Sequence, residues 1–297
     1  MTAQSEPPRL AGVELGGTNA IIVLGEGTRI VERHRLPVTT PDETLEAVAR
    51  QLRAWQPCAL GIASFGPIRV DPSERDYGTI LETTKPGWSG APVLSRLAVA
   101  VDGPARIHTD VVGAALAEHR LGAAHGCEDF VYITIGTGIG LAIIANGLPV
   151  VGTLHPEGGH IRLPRFPGDD FAGICAFHGD CLEGLCSGPA LAARFGDAVS
   201  ASDDDKRWEP VVDTLAEACA TLRLLLATDR IILGGGVTSG HPWLAARIEA
   251  AVAAKIGAYL PPWAPRSIRV AALGTDAGPT GALILAEQAY QIAVANL

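Results

Sequence analysis

One pattern occurs twice in this chain and limits what the chain can fold into. Residues 10–15 form an apolar run, Gly16-Gly17-Thr18-Asn19 a turn, and residues 20–24 a second run rich in β-branched side chains. The same order returns as residues 130–135, Gly136-Thr137-Gly138-Ile139-Gly140 and residues 141–145, after which Asn146-Gly147 turns the chain into residues 148–151. Each copy reads as a β-hairpin closed by glycines. The two turns begin at Gly16 and Gly136, a domain-scale separation and not a solenoid period. Two related α/β domains are therefore expected, and if they face each other, a glycine turn stands on either side of one cleft. In a Walker or Rossmann motif a helix follows the glycines, but Ile21-Ile22-Val23 with Gly25 and Gly27 beyond it opposes a helix. The turns can still serve a phosphate, because glycine lets backbone N–H groups approach an anion and Thr18 adds a hydroxyl.

The remaining elements alternate between strand and helix. Thr40-Pro41-Asp42-Glu43 opens a helix by a capping box with proline at its first position. A buried strand at residues 59–63 delivers Ser64-Phe65-Gly66-Pro67 to a loop, and the stretch through Thr83-Thr84-Lys85-Pro86-Gly87-Trp88 is loop-rich enough to suggest a binding surface. A strand at 105–108 ends at Thr109-Asp110, and a helix at 112–121 follows, so Asp110 sits where strand passes into helix. Later come a helix at 210–228, a strand at 230–233, a glycine loop Gly234-Gly235-Gly236, a helix from 241 to 260 stopped by Pro261-Pro262, and a last helix at 278–295. Asp203-Asp204-Asp205 reads as a solvated loop.

Composition excludes several classes of function. With 297 residues, 47% of them hydrophobic and 19% charged, the chain can bury a large core. A net charge of -9 opposes a generic binder of nucleic acid or of membrane surfaces, so any anionic ligand must be held locally. The N-terminal segment MTAQSEPPRL lacks the features of a signal peptide, and no run of about 18 apolar residues suggests a membrane span, so a cytoplasmic protein is expected. Of the six cysteines, Cys58, Cys127, Cys186 and Cys219 are scattered, as reduced residues would be. Cys175, His178 and Cys181 are spaced two residues apart and can converge on one ion. His160 can complete a tetrahedral set, with His155 as the alternative fourth ligand. Two thiolates and two imidazoles select zinc in a closed, structural site, which makes residues 155–188 a zinc-stiffened lid.

Taken in order, these motifs resemble those of ROK-family sugar kinases over about residues 10–290. Gly16-Gly17-Thr18 is similar to the family's first phosphate loop, Thr134-Ile135-Gly136-Thr137-Gly138-Ile139-Gly140 to the second, and Gly234-Gly235-Gly236-Val237 to the adenosine segment. Thr109-Asp110 resembles the catalytic turn, Glu157-Gly158-Gly159-His160 the sugar motif, and Cys181-Leu182-Glu183 with Ser187-Gly188-Pro189 the segment that follows it. Ser64-Phe65-Gly66-Pro67, Lys85-Pro86-Gly87-Trp88 and the Cys175, His178, Cys181 spacing are similar to the zinc-containing bacterial fructokinase branch. The resemblance implies an actin-like ATPase (ribonuclease H-like) fold of two βββαβαβα domains around a central cleft, at 1–112 and 113–277. The terminal helix at about 278–297 would return to the first domain. It further implies ATP with Mg²⁺, a structural zinc, a hexose substrate with fructose foremost, and frequently a homodimer. Asp110 becomes the catalytic base; Glu157, His160, Glu183 and Gly66 the sugar ligands; and Gly16, Gly17, Thr18, Thr134, Thr137, Gly138, Pro189, Gly234, Gly235 and Gly236 the nucleotide ligands. Glucose, mannose or an N-acetylhexosamine are the alternative sugars within the family, and a non-catalytic sugar-binding protein is an alternative role. A sugar-responsive repressor of the family would need a helix-turn-helix domain ahead of the first strand, where about nine residues stand. Four positions depart from the family pattern. Val112 replaces an asparagine, Leu141 and Ala142 replace glycines, and Asn19 stands where many relatives carry lysine.

Overall fold

The computed structural model describes residues 7–196 and 205–296, so Met1–Glu6 of the N-terminal segment, together with Asp203 and Asp204, lie outside the described residues. Two compact units emerge from the chain's own contacts. The first takes the chain up to Ala117, Val151–His155 and the chain from Thr275; the second takes Glu118–Val150 and Pro156–Gly274. The first crossing falls inside a helix, and the last falls between Pro156–Gly274 and Thr275.

In the first unit, β1 (Arg9–Leu15), β2 (Asn19–Glu26), β3 (Arg29–Pro37), β4 (Ala59–Ser64) and β5 (Ala105–Thr109) form a sheet of order β3-β2-β1-β4-β5. Strand β2 is antiparallel to both β1 and β3, whereas β4 runs parallel to β1 and β5 parallel to β4. Period-two alternation then sorts the side chains. Ala11, Val13, Leu15, Ile22, Leu24, Leu60 and Ile62 face α1 (Pro41–Trp55) and α2 (Val93–Ala98) in one core. Leu10, Val23 and Ala59 form a second with the terminal helix. Thr40 caps α1 as expected, accepting from the N–H of Glu43 at 3.3 Å.

After α3 (Asp110–Leu121) the second unit repeats the plan. It pairs β6 (Phe130–Ile135), β7 (Ile139–Ala145), β8 (Leu148–Pro149), β9 (Arg230–Gly234) and β10 (Ile268–Val270) in the order β10-β9-β6-β7-β8, which is the first sheet's order with each strand replaced by its counterpart. Asn146 and Gly147 both have positive φ, 50° and 72°, the backbone that a two-residue hairpin turn demands. Its helices are α4 (Leu182–Cys186), α5 (Gly188–Phe195), α6 (Glu209–Leu226), α7 (Gly235–Gly240) and α8 (Leu244–Ile256). Gly234-Gly235-Gly236 is not a loop, as the sequence suggested: strand β9 runs into Gly234 and the next two glycines begin α7, while the expected helix starts only at Leu244.

The terminal helix α9 (Ala277–Ala295) belongs to the first unit and packs on β1 and β4. Close approach is possible because the facing residues lack side chains. A Cβ on Gly61 would strike the backbone of Ala282, and one on Gly281 would strike the backbone of Gly113 in α3. Among the described residues, no helix is long and apolar enough to cross a membrane.

Candidate active site

In both units the glycine segments, and in the first also Gly66 and Asp110, follow the carboxyl ends of parallel strands, the position where open α/β sheets bind ligands. Register accounts for this in the first unit. Leu15 pairs with Ser64, and Ser64 with Thr109, so the residues that leave these strands, Gly16, Phe65 and Asp110, emerge side by side.

The first glycine turn is closed by a bond from Gly16 N to Asn19 O of 3.0 Å, and it leaves Gly17 and Thr18 exposed. Asn19 bonds within the turn, its Nδ2 donating to Thr18 Oγ1 at 3.0 Å. The positive charge at this turn comes from elsewhere: the ammonium of Lys85 donates to the carbonyl of Gly17 and lies 5.8 Å from the centroid of the Phe65 ring. Trp88 anchors that loop, fully buried and donating from Nε1 to Thr39 O at 2.9 Å. Gly66 borders the ring of His155, whose Nε2 accepts the N–H of Ile68 at 3.1 Å. This occupies His155, the alternative fourth zinc ligand, and fixes its proton on Nδ1.

Asp110 is the first residue of α3. Its Oδ1 accepts from Val111 N at 2.8 Å, but the cap is Thr109, whose hydroxyl accepts from Val112 N at 3.2 Å. Burial pushes the Asp110 carboxyl up to about 6. Glu14, at the end of β1, is raised to about 7, first by burial and then by the charge of Asp110, with Arg33 opposing. The sequence did not single out Glu14. The available signal was a carboxylate inside an apolar strand immediately ahead of a glycine turn. His108, two residues before Asp110, is buried and lowered to about 3, so it stays neutral. Val112 is 2% exposed and part of the apolar interior.

The second unit mirrors this arrangement. Thr134 pairs with Gly234, which sets the turn Gly136–Gly140 beside Gly235 and Gly236. Thr137 and Gly236 are exposed, and Thr238 ties α7 back by donating to Gly234 O at 2.6 Å. The turn is clasped twice: Gly188 N donates to Gly136 O at 2.7 Å, and Ile139 N donates to Glu183 Oε2 at 3.0 Å. Pro189 stands in the first turn of α5 beside Ser187, the helix cap. Leu141 and Ala142 are buried strand residues, and Leu141 packs under Gly158 instead of entering the turn. Glu157 is exposed, and Gly159 lets its segment lie directly on the carbonyl of Ile139.

Cys175, His178, Cys181 and His160 converge, their ligand atoms all within 4.8 Å of one another. The separations test the fit. Cys175 Sγ lies 3.6 Å from His160 Nδ1 and 3.7 Å from His178 Nδ1, and Cys181 Sγ lies 3.6 Å from His160 Nδ1. An ion with Zn–S of about 2.3 Å and Zn–N of about 2.0 Å has S···N tetrahedral edges of about 3.5 Å. The donor set fits zinc. A small hairpin holds it, with Cys175 and Gly179 exchanging both backbone bonds at 3.1 and 2.9 Å. The preceding loop is fixed by a buried fork from Arg194 to Asp169 at 2.8 and 2.9 Å.

This sheet order, duplicated, with a glycine turn after the first strand of each copy, defines a class. Residues 10–289 match the ROK family, and the chain belongs to it. Among its relatives, the fructokinase of Pediococcus pentosaceus is 39% identical over 95% of this chain and 99% of its own length. A ROK hexokinase from Thermus thermophilus superposes with a TM-score of 0.76 at 26% identity, covering 97% of this chain and all of that one, 100%. A ROK family glucokinase from Streptomyces griseus, solved with glucose and AMPPNP, shares the fold with a TM-score of 0.74 at 24% identity over 94% and 99% of the two chains.

Proposed function

We propose that the chain is an ATP-dependent hexose kinase whose substrate is D-fructose, phosphorylated to fructose 6-phosphate. The observation that carries the chemistry is Asp110, a carboxyl lifted to about 6 that leaves β5 at the same end of the sheet as the glycine turn Gly16-Gly17-Thr18 leaves β1, with β4 between them, and is not needed as the helix cap. A base near neutrality can accept a hydroxyl proton while remaining largely ionised at pH 7 to 8. Asp110 takes the proton of the sugar hydroxyl as its oxygen attacks the γ-phosphorus; the new O–P bond forms, the bond to the β-phosphate oxygen breaks, and ADP leaves. Backbone N–H groups of Gly17, Thr18, Thr137 and Gly138 hold the phosphates, Lys85 supplies the cation absent at Asn19, and Gly234, Gly235, Gly236 and Pro189 take the adenosine side. Magnesium accompanying ATP would neutralise phosphate charge, and the carboxylate oxygens of Glu14 are hard donors suited to it.

Glu157, His160, Glu183 and Gly66 bind the sugar, since acceptors that lose water around a bound polyol reject analogues lacking a hydroxyl. Zinc held by His160, Cys175, His178 and Cys181 would supply no reaction chemistry, but would lock Nδ1 of His160 and leave Nε2 for the sugar. The choice of fructose rests on the 39% identity to a fructokinase along almost the whole of both chains. The use of ATP and six cysteines outside any disulfide support a cytoplasmic location, and the family resemblance supports a homodimer. A coupled ADP-release assay over fructose, glucose, mannose and N-acetylhexosamines tests the proposal. The highest kcat/KM on fructose supports it, preference for another hexose moves the assignment within the family, and no turnover with any of them removes it.

A further inference from the structure

We propose that Glu183 is a positioning residue for the nucleotide as well as a sugar ligand, so that sugar and nucleotide bind cooperatively through this one carboxylate. This rests on the kinase reading above.

Glu183 lies in the first turn of α4, two residues after Cys181, which is the cap position of that helix. Its Oε2 accepts the N–H of Ile139 at 3.0 Å, inside the second glycine turn. A Cβ on Gly138 would stand 2.6 Å from the same oxygen, so the carboxylate lies directly against the turn's backbone. From the other side, Gly188 N donates to Gly136 O at 2.7 Å. The α4–α5 elbow thus holds the turn at both shoulders, and the bond to Glu183 is the only one of the two made by a side chain. A glycine-rich turn has many alternative backbone conformations, so the bond that selects one of them sets how well its N–H groups are organised for phosphate. Oε1 is the oxygen left to face a sugar hydroxyl. A sugar bound there orders the carboxylate, which orders the turn. By reciprocity, nucleotide on the turn orders the carboxylate for the sugar by the same factor.

The test is calorimetric titration of a non-hydrolysable ATP analogue with magnesium, without and with saturating fructose, on the wild-type protein, Glu183→Ala and Glu183→Gln. Fructose should tighten analogue binding to the wild type by about fivefold or more, within the usual span of site coupling. Glu183→Ala loses the bond to Ile139, and its analogue affinity without sugar should fall about fivefold. Glu183→Gln keeps an amide oxygen for Ile139 N–H but presents an NH₂ to the sugar. Its sugar-free analogue affinity should stay within about twofold of wild type while the effect of fructose disappears. Metal content and circular dichroism confirm that each variant is folded, and should Glu183→Ala not fold, the Glu183→Gln comparison decides alone. Unchanged sugar-free affinity in folded Glu183→Ala, or full coupling retained in Glu183→Gln, overturns the proposal while a wild type that turns over fructose leaves the kinase reading standing. A wild type that binds the analogue but shows no effect of fructose also overturns it. A wild type that binds no analogue removes both.

Discussion

Replacing Asp110 with asparagine should separate catalysis from stability in opposite directions. The variant keeps the shape and an oxygen for the N–H of Val111 but loses the proton acceptor, so turnover should fall roughly 10² to 10⁴-fold. From the sequence alone, stability would be expected to stay flat. Burial changes that expectation. A carboxyl raised from 3.8 to about 6 holds its proton more tightly folded than unfolded, so its ionisation costs stability. The cost is absent below the unfolded value, grows as pH rises from about 4 to 6, and is complete above that. A rise of this size sets a ceiling of about 3 kcal/mol, and the partial exposure of the side chain brings it to about 1–2 kcal/mol. Asparagine removes this cost. Thermal and urea unfolding at pH 8 should therefore show the variant more stable than wild type by several degrees, with about half the gain at pH 5. In the wild type, kcat/KM should fall about tenfold per pH unit below pH 6. A variant with wild-type turnover refutes Asp110 as the base, and a variant with unchanged or lower stability at pH 8 refutes the burial argument.

Four further outcomes are expected. Purified protein should hold about one zinc per chain by elemental analysis, lost in Cys175→Ser and Cys181→Ser, and its removal by a chelator should lower the melting temperature. Lys85→Met should raise KM for ATP about tenfold, and Asn19→Lys added to that variant should recover most of the loss, because the cation then returns to the same turn. Gly138→Val should weaken nucleotide binding by displacing the Glu183 carboxylate, with zinc content unchanged. Gly281→Ala should cost on the order of 3 kcal/mol or more in urea unfolding, since its methyl group meets backbone in α3 that has no rotamer with which to yield.

Where local pattern and tertiary role coincide, the sequence was informative. The duplicated hairpins, the cap at Thr40 and the convergence of Cys175, His178 and Cys181 needed only alternation, one capping side chain and a fixed spacing. What escaped depended on partners distant in sequence. Strand β3 reads as polar, since most of its residues are exposed at a sheet edge, and short α2 carries no cap hydrogen bond from a side chain. Lys85 and Gly17 are far apart in the chain, so nothing local announces their contact. Glu14 looks like one polar residue in a strand until Asp110 is seen to act on its charge. That Thr109 and not Asp110 caps α3 is shown only by its bond to Val112.

The return of α9 to the first sheet fixes an order of events during synthesis. Strands β1 to β5 are complete once Thr109 has been made, yet Leu10, Val23 and Ala59 gain their cover, Leu283 and Ala286, only after some 170 further residues have been added. All of Glu118–Val150 and Pro156–Gly274 is synthesised in that interval. The half that begins first therefore finishes last, and one apolar face of its sheet stays uncovered until the terminal helix arrives. A chain truncated before Ala277 would keep its second unit whole and leave its first unable to close.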